Sequence, residues 1–345
     1  MSTLIENVEK VTAAHAAIKE AIAAKGVAVP DGTKLSGMPL LIEKIETRPV
    51  PTNTRAVFAY DNAERIVVPT ELVVDTVSMT DLNHCFFHST SLTSLTLPDG
   101  FGQNATGFAS CFSDCYSLAS LTLPDGFGQN ALDFASCFYK CSSLKSLTLP
   151  DGFGQNATNV SGCFYGCSLL KSLTLPDGFG QNATNVSACF ASCSSLTSLA
   201  LPDGFGQNAT NVSECFFHST SLTSLTLPDG FGQNATGLAS CFCNCYSLTS
   251  LTLPDGFGQS ATGTSSATYC FRGCSSLTTI TGNPNFKVSL DLSPCAKLTH
   301  DSLMVVINGL QTVTTTKKLT LGTTNLAKLT DEEKKVATDK GWTLA

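Results

Sequence analysis

Leu95-Thr96-Leu97-Pro98-Asp99-Gly100-Phe101-Gly102-Gln103 recurs along this chain with at most one exchange in its first seven copies, opening at Leu95, Leu121, Leu147, Leu173, Leu199, Leu225 and Leu251, each 26 residues after the last. A strict period in this range identifies a solenoid, because a unit so short cannot bury its own apolar face and must stack on its neighbours. Leu95 and Leu97 alternate with Thr96, the period-2 signature of a short strand with one buried face, and Leu92 adds an inward contact just before it. Pro98 ends the strand because it has no N–H to give to a ladder, and Pro98-Asp99-Gly100 predicts a turn. Phe101 is expected to fold back into the core, with Gly102 easing the next bend.

Gln103 to Ser110 is polar and reads as a crossing loop. Apolar residues then fall at Cys111, Phe112, Cys115 and Leu118, a helical spacing on the opposite wall of the coil. The expectation is an α/β solenoid with 26-residue repeats, one short strand and about one helical turn per repeat. Near-identical copies fill residues 95–270 within an array that spans 48–285. Its ends are atypical: Pro69 to Cys85 and Pro254 to Cys270 are 16 residues apart, where inner copies such as Pro98 to Cys111 run 13. End units face water on one side and are expected to differ.

Residues 286–345 read as an α/β C-terminal cap, with helical spacing from Asp301 to Leu310 followed by the stretch Lys318-Leu319-Thr320-Leu321-Gly322. A last helix opens at Thr330-Asp331-Glu332-Glu333, which has the capping-box form, and closes before Gly341-Trp342. Residues 1–47 read as a separate N-terminal helical segment for docking or oligomerisation. There Leu4, Val8, Val11, His15, Ile18 and Ile22 are spaced as the a/d seam of a short coiled coil. Such a seam folds onto the solenoid, docks on a partner or pairs with a second copy.

The Leu-x-x-Leu-x-Leu pattern with its Phe/Cys segment, as in Cys163-Phe-Tyr-Gly-Cys167-Ser-Leu-Leu-Lys-Ser-Leu173-Thr-Leu-Pro176, resembles the leucine-rich repeats of the BspA-like class of bacterial surface proteins. That resemblance covers roughly residues 60–285 and implies a leucine-rich-repeat solenoid; this chain departs from it in its longer period and its Pro-Asp-Gly-Phe-Gly-Gln loop. The segment from Lys25 to Ile45 is similar to the N-terminal segment of phage and prophage tail-associated proteins, and Leu319 to Trp342 to endings of repeat proteins in phage-like regions. Together the termini imply a virion-attached protein.

Composition excludes several classes. Charged residues make up 14% and the net charge is −7, so there is no basic stripe for a nucleic-acid backbone. The N-terminus lacks a basic region followed by an apolar one, and no apolar run has the length of a membrane span. The expectation is a chain made in the cytoplasm without a signal peptide, not inserted in a membrane, and exposed on a virion or a cell surface. Five scattered histidines and the lack of a phosphate loop or hydrolase elbow point away from an enzyme.

Sixteen cysteines recur mainly as Cys-Phe-x-x-Cys and read as small buried hydrophobes in reduced form. The alternative, zinc, is weakened where Ser89 and Ser219 replace the second Cys, although His84-Cys85-Phe86-Phe87-His88 has metal-ligand spacing. Stacking turns each repeat position into a column with a spacing of about 4.7–4.9 Å. Thr96, Thr122, Thr148, Thr174, Thr226 and Thr252 then pave the strand face with hydroxyls, interrupted by Ala200. The Asp99 to Asp255 column serves its turns or bridges calcium; no other cofactor is implied. Between the two Cys positions the copies differ, and Tyr139, Tyr165 and Phe217 there predict an exposed aromatic strip. The expected function is non-enzymatic adhesion to cell-surface glycan or protein, on a phage or prophage tail joined through residues 1–47. The alternatives are a bacterial surface adhesin of the BspA-like class or a structural spacer.

Overall fold

The computed structural model describes residues 80–262, 267 and 269–345; the expectations for residues 1–47, and for the first units of the array, lie outside them. One wall of the coil carries the short strands β1 (Ser94–Thr96), β2 (Ser120–Thr122), β3 (Ser146–Thr148), β4 (Ser172–Thr174), β5 (Ser224–Thr226), β6 (Ser250–Leu253) and β7 (Thr279–Gly282). In β1 to β5 the central Leu is buried between exposed Ser and Thr, as the alternation predicts. Pairing is parallel and in register, Leu95 opposite Leu121 and Leu225 opposite Leu251, because each coil returns to its starting point after one repeat. The strand wall is nevertheless broken: β1 pairs with β2, β3 with β4, and β6 with both β5 and β7. Ser198-Leu199-Ala200, at the same repeat position, forms no strand.

The opposite wall has no such gaps. Phe86 N–H donates to the Cys111 carbonyl (2.7 Å), Phe112 to Cys137 (2.7 Å), Phe138 to Cys163 (2.8 Å), and so on to Phe242 and Cys270 (3.0 Å). The expected helical turn is realised here as a chain of tight turns. Cys111 and Cys115 donate back three residues, to Phe108 and Phe112, whereas Ser110, Phe112 and Asp114 donate outward to Ala135, Cys137 and Tyr139 of the next coil. An α-helix would keep all of these amides to itself. Ser110 and Asp114 sit at φ of 55° and 62°, and the equivalent residues of the other coils share that left-handed geometry. The predicted crossing loop is likewise structured: parallel bridges link Asp81, Gly107, Asp133, Asn159, Asn185, Asn211 and Gly237 in unbroken succession.

The core lies between these walls. Phe86, Phe112, Phe138, Phe164, Phe190, Phe216, Phe242 and Phe271 stack in one column with centroids 5.1–5.8 Å apart. The Phe of the Pro-Asp-Gly-Phe turn forms a second column, 5.9–6.4 Å apart from Phe127 to Phe257. The glycine after it is required twice over: Gly154 has φ of +69°, and a Cβ there would lie 2.7 Å from the Phe179 ring.

The cap comprises β8 (Leu290–Asp291), α1 (His300–Asn308), β9 (Lys317–Thr320), α2 (Gly322–Leu326), α3 (Asp331–Asp339) and β10 (Trp342–Leu344), with a parallel sheet in the order β10-β9-β8. Thr299 caps α1 through the Ser302 N–H, and Thr330 and Glu333 form the predicted capping box on α3. His300 Nε2 meets Glu333 at 2.8 Å, tying α1 to α3. Trp342 is buried and its Nε1 donates to the Gln311 carbonyl (2.8 Å), closing the C-terminal end of the core.

Candidate functional site

All sixteen cysteines are buried with free thiols. The second Cys of each pair has a defined task. Its Sγ donates to the Phe carbonyl of the preceding coil: Cys115 to Phe86 (3.1 Å), Cys141 to Phe112 (3.2 Å), Cys167 to Phe138 (3.2 Å) and Cys193 to Phe164 (3.2 Å). Ser219, which replaces Cys in its copy, makes the same bond to Phe190 through its hydroxyl (2.8 Å). The Cys-to-Ser exchange therefore keeps a donor, and the column is a hydrogen-bonding one. Burial pushes these thiols up, Cys115, Cys193 and Cys245 to about 12, so they stay protonated at neutral pH. A protonated thiol is neither a good nucleophile nor a metal ligand. Among the described residues no three His, Cys, Asp or Glu side chains converge.

The repeated polar residues are occupied in the same manner. Asn130, Asn156, Asn182, Asn208 and Asn234 donate through Nδ2 to the Gln carbonyl of the preceding coil, at 2.8–3.0 Å. Thr158, Thr184, Thr210 and Thr236 donate amide and hydroxyl alike to one carbonyl of the coil before. Asn-Ala-Thr is thus a stacking motif.

On the strand wall Thr96, Thr122, Thr148, Thr174 and Thr226 are exposed, while Thr252 is half-buried and hydrogen-bonded to Thr281 at 3.0 Å. Where Ser198 to Leu201 runs beside β5, the gap opens a shallow cleft of about 430 Å³ that reaches Asp203, Thr226 and Pro228. The aspartates of the turns, Asp99 through Asp255, are exposed.

The aromatic strip requires correction. Tyr139, Tyr165 and Phe217 are half-buried, not exposed. Tyr139 and Tyr165 stack on each other (4.8 Å, 17°), with Lys140 Nζ 5.1 Å from the Tyr139 ring, and Phe217 packs against His218 (5.8 Å). At the same position Ser113, Ala191 and Cys243 are buried, so variation there reflects packing. The following residue, whether Asp114, Lys140, Gly166, Ser192, His218 or Asn244, always has positive φ, which restricts what it can be.

The exposed aromatics lie elsewhere, at Tyr116 (37%), Tyr246 (45%) and Tyr269 (51%). Tyr116 and Tyr246 immediately follow the second Cys, where the other copies carry Thr90, Ser142, Ser168, Ser194 and Thr220. That substitution of a ring for a hydroxyl is the sequence signal that finds them. Tyr116 donates its hydroxyl to Asp114 Oδ1 (2.8 Å), and this bond to the carboxylate raises its pKa. His88 meets the Tyr116 ring edge-on at 6.2 Å and 78°. His218 meets Tyr246 at 6.3 Å and 78°. Such rings, packed against a histidine and still exposed, can take apolar or sugar surfaces; the site has no convergent acid, base and nucleophile.

Comparison with known proteins agrees with this architecture. The family described as "BspA type Leucine rich repeat region" matches in six copies, over residues 55–182, 109–236 and 184–292. Among solved structures, a leucine-rich repeat protein of Treponema pallidum is similar at 18% identity, covering 74% of this chain and 87% of that one, with a TM-score of 0.35. One from Bacteroides ovatus is 14% identical over 78% of this chain and 88% of its own, TM-score 0.30. A leucine-rich cell surface protein of Faecalibacterium prausnitzii is 16% identical over 66% and 89%, TM-score 0.28. No curated protein matches the chain.

Proposed function

This chain belongs to the BspA-type leucine-rich repeat family, and from that premise we propose that it works as an adhesin, binding glycan or protein on a cell surface. The observation that carries the reading is the division of labour among the polar groups. Repeated Asn and Cys side chains and the threonines of the Asn-Ala-Thr segments are engaged between coils, so the side chains left to meet a ligand are the exposed Thr and Asp of the strand wall and its turns and, where the repeat is broken, the rings of Tyr116 and Tyr246. A structural spacer has no need for exposed rings. Surface display accords with the family, and no helix of the described residues is long and apolar enough to cross a membrane.

The finer reading is display on a phage or prophage tail, attached through residues 1–47. It rests on the similarity of the segments Lys25 to Ile45 and Leu319 to Trp342 to tail-associated proteins. The test is binding of labelled full-length protein to a panel of gut bacterial cells and to mucin, with calcium and with chelator. Strain-restricted binding to bacteria, unchanged by chelator, is the expected result. Binding to mucin alone assigns a colonisation adhesin outside a phage, loss with chelator assigns calcium to the Asp99 to Asp255 column, and no binding to either sinks adhesion in favour of a spacer.

A further inference from the structure

The stretch Cys85-Phe-Phe-His88-Ser-Thr and the stretch Cys215-Phe-Phe-His218-Ser-Thr are the same sequence, 130 residues apart, at positions where the other copies differ. In each case the coil that follows carries Cys-Tyr-Ser-Leu, at Cys115 to Leu118 and at Cys245 to Leu248. The structure shows what these two paired variations share. Each brings a histidine from one coil edge-on to an exposed tyrosine of the next, with ring separations of 6.2 and 6.3 Å and the same interplanar angle of 78°. Two residues before each tyrosine stands a short planar polar side chain, Asp114 or Asn244. The arrangement is therefore built twice, in one column, five coils apart.

We propose that Tyr116 and Tyr246 are the platforms of two equivalent carbohydrate subsites, spanned by a single neutral polysaccharide chain. This rests on the adhesion reading and names its ligand class. An exposed tyrosine ring packed against a histidine offers the apolar surface that the C–H face of a sugar ring requires, and the adjacent Asp114 or Asn244 offers hydrogen bonds to sugar hydroxyls. A net charge of −7 opposes an acidic polymer. A protein partner is disfavoured by scale, since a stable protein interface buries about 800 Å² per partner and two isolated rings do not supply it.

The floor between the platforms suits a linear chain. Ser142, Ser168, Ser194 and Thr220 occupy the same column, are half-buried, and donate their hydroxyls to the preceding coil, so the column itself carries no side chain larger than Thr between the two rings. At the 5.4–5.8 Å spacing of the Phe112 to Phe242 column on the same wall, five coils separate the platforms by about 28 Å. A polymer reaching both gains avidity that a short oligosaccharide cannot, of the order of 100-fold or more.

The experiment uses the full chain, soluble mannan, laminarin and galactan as polymers, and the trisaccharide of whichever polymer binds. At least one polymer is expected to bind. Tyr116→Ala and Tyr246→Ala should each weaken polymer binding by about 100-fold, and the double variant should abolish it. With the trisaccharide each single variant should instead halve the number of sites and leave the affinity of the remaining one unchanged. Melting temperatures of the variants, expected to match the parent, separate loss of binding from loss of fold. Failure of all three polymers to bind, single variants that lose twofold or less on the polymer, or a double variant that still binds it would each overturn the proposal. A double variant that binds cells as the parent does leaves adhesion standing while the twin subsites fall; a parent that binds neither cells nor mucin removes the adhesion reading itself.

Discussion

The strand wall and the turn wall of this solenoid are built from the same 26-residue repeat, yet only one of them is continuous. Strand pairing lapses between β2 and β3 and again beyond β4, whereas the Phe-to-Cys ladder runs from Phe86 to Cys270 without a break. The difference lies in what each wall buries. A three-residue strand places one Leu inward and exposes its neighbours, so its pairing competes with water at both ends. The turn wall buries Cys, Phe and Cys within five residues, and each amide sent outward enters a dry, stacked environment where leaving it unpaired costs more. Coil-to-coil cohesion thus depends on the wall that carries no regular secondary structure.

The largest test of that contrast is alkaline pH, since the thiols of the Cys-Phe-x-x-Cys segments are buried in the turn wall. Burial raises its thiols above their ordinary value, so the folded state holds protons that the unfolded chain releases. Their contribution is complete below the unfolded thiol pKa and is lost as pH rises toward the folded values, by about 1.4 kcal/mol per thiol for each pH unit. Urea midpoints should hold from neutral pH to about pH 8 and collapse between about pH 9 and 11. A midpoint that stays flat through that range would show that the thiols are not buried as described.

Truncation compares the two walls directly. Phe164→Ala removes a ring stacked between Phe138 at 5.4 Å and Phe190 at 5.7 Å, and should cost about 3–5 kcal/mol. Leu199→Ala, beside the open cleft, should fall at the low end of its class, about 2 kcal/mol. Equal losses in urea unfolding would erase the distinction.

Smaller changes sharpen it. Cys167→Ala deletes the donor to the Phe138 carbonyl, which still accepts from the Cys141 N–H, so the loss should be about 1 kcal/mol. Cys167→Ser should lose less, because Ser219 shows that a hydroxyl makes the equivalent bond; a serine variant weaker than the alanine one would contradict this. On the other wall, Ala200→Thr restores the repeat residue and should gain about 0.2–1 kcal/mol, with slower hydrogen exchange at Leu199 and Leu201. Unchanged exchange there would mean that Ala200 is not what opens the gap. No sequence difference accounts for the break between β2 and β3.

Much of the fold is legible residue by residue. The Leu95-Thr96-Leu97 alternation gives a strand with a buried centre, Pro98-Asp99-Gly100 gives the turn, and Thr330 with Glu333 gives the start of α3. The helical turn in the Cys-Phe segment is where local pattern misleads. Apolar residues at 111, 112, 115 and 118 satisfy a 3.6 period, but Ser110 and Asp114 lie at positive φ, and Gly162 and Gly166 in a sister copy are the residues that betray it. The candidate site shows the same limit. Variability at Tyr139, Tyr165 and Phe217 suggests exposure, yet those rings are half-buried against one another or a neighbour, and the exposed rings among the described residues are Tyr116, Tyr246 and Tyr269.

The sequence by itself determined that this is a stacked solenoid, where its coils begin and end, and which residues line its core, because a 26-residue period with fixed apolar positions leaves no other way to bury them. Only the tertiary structure decided which wall binds coil to coil, which cysteines donate hydrogen bonds, and which tyrosines face outward. Those outcomes depend on the carbonyl, ring or thiol that the neighbouring coil places a few ångströms away, and contacts between residues 26 or more positions apart are not written in any local pattern.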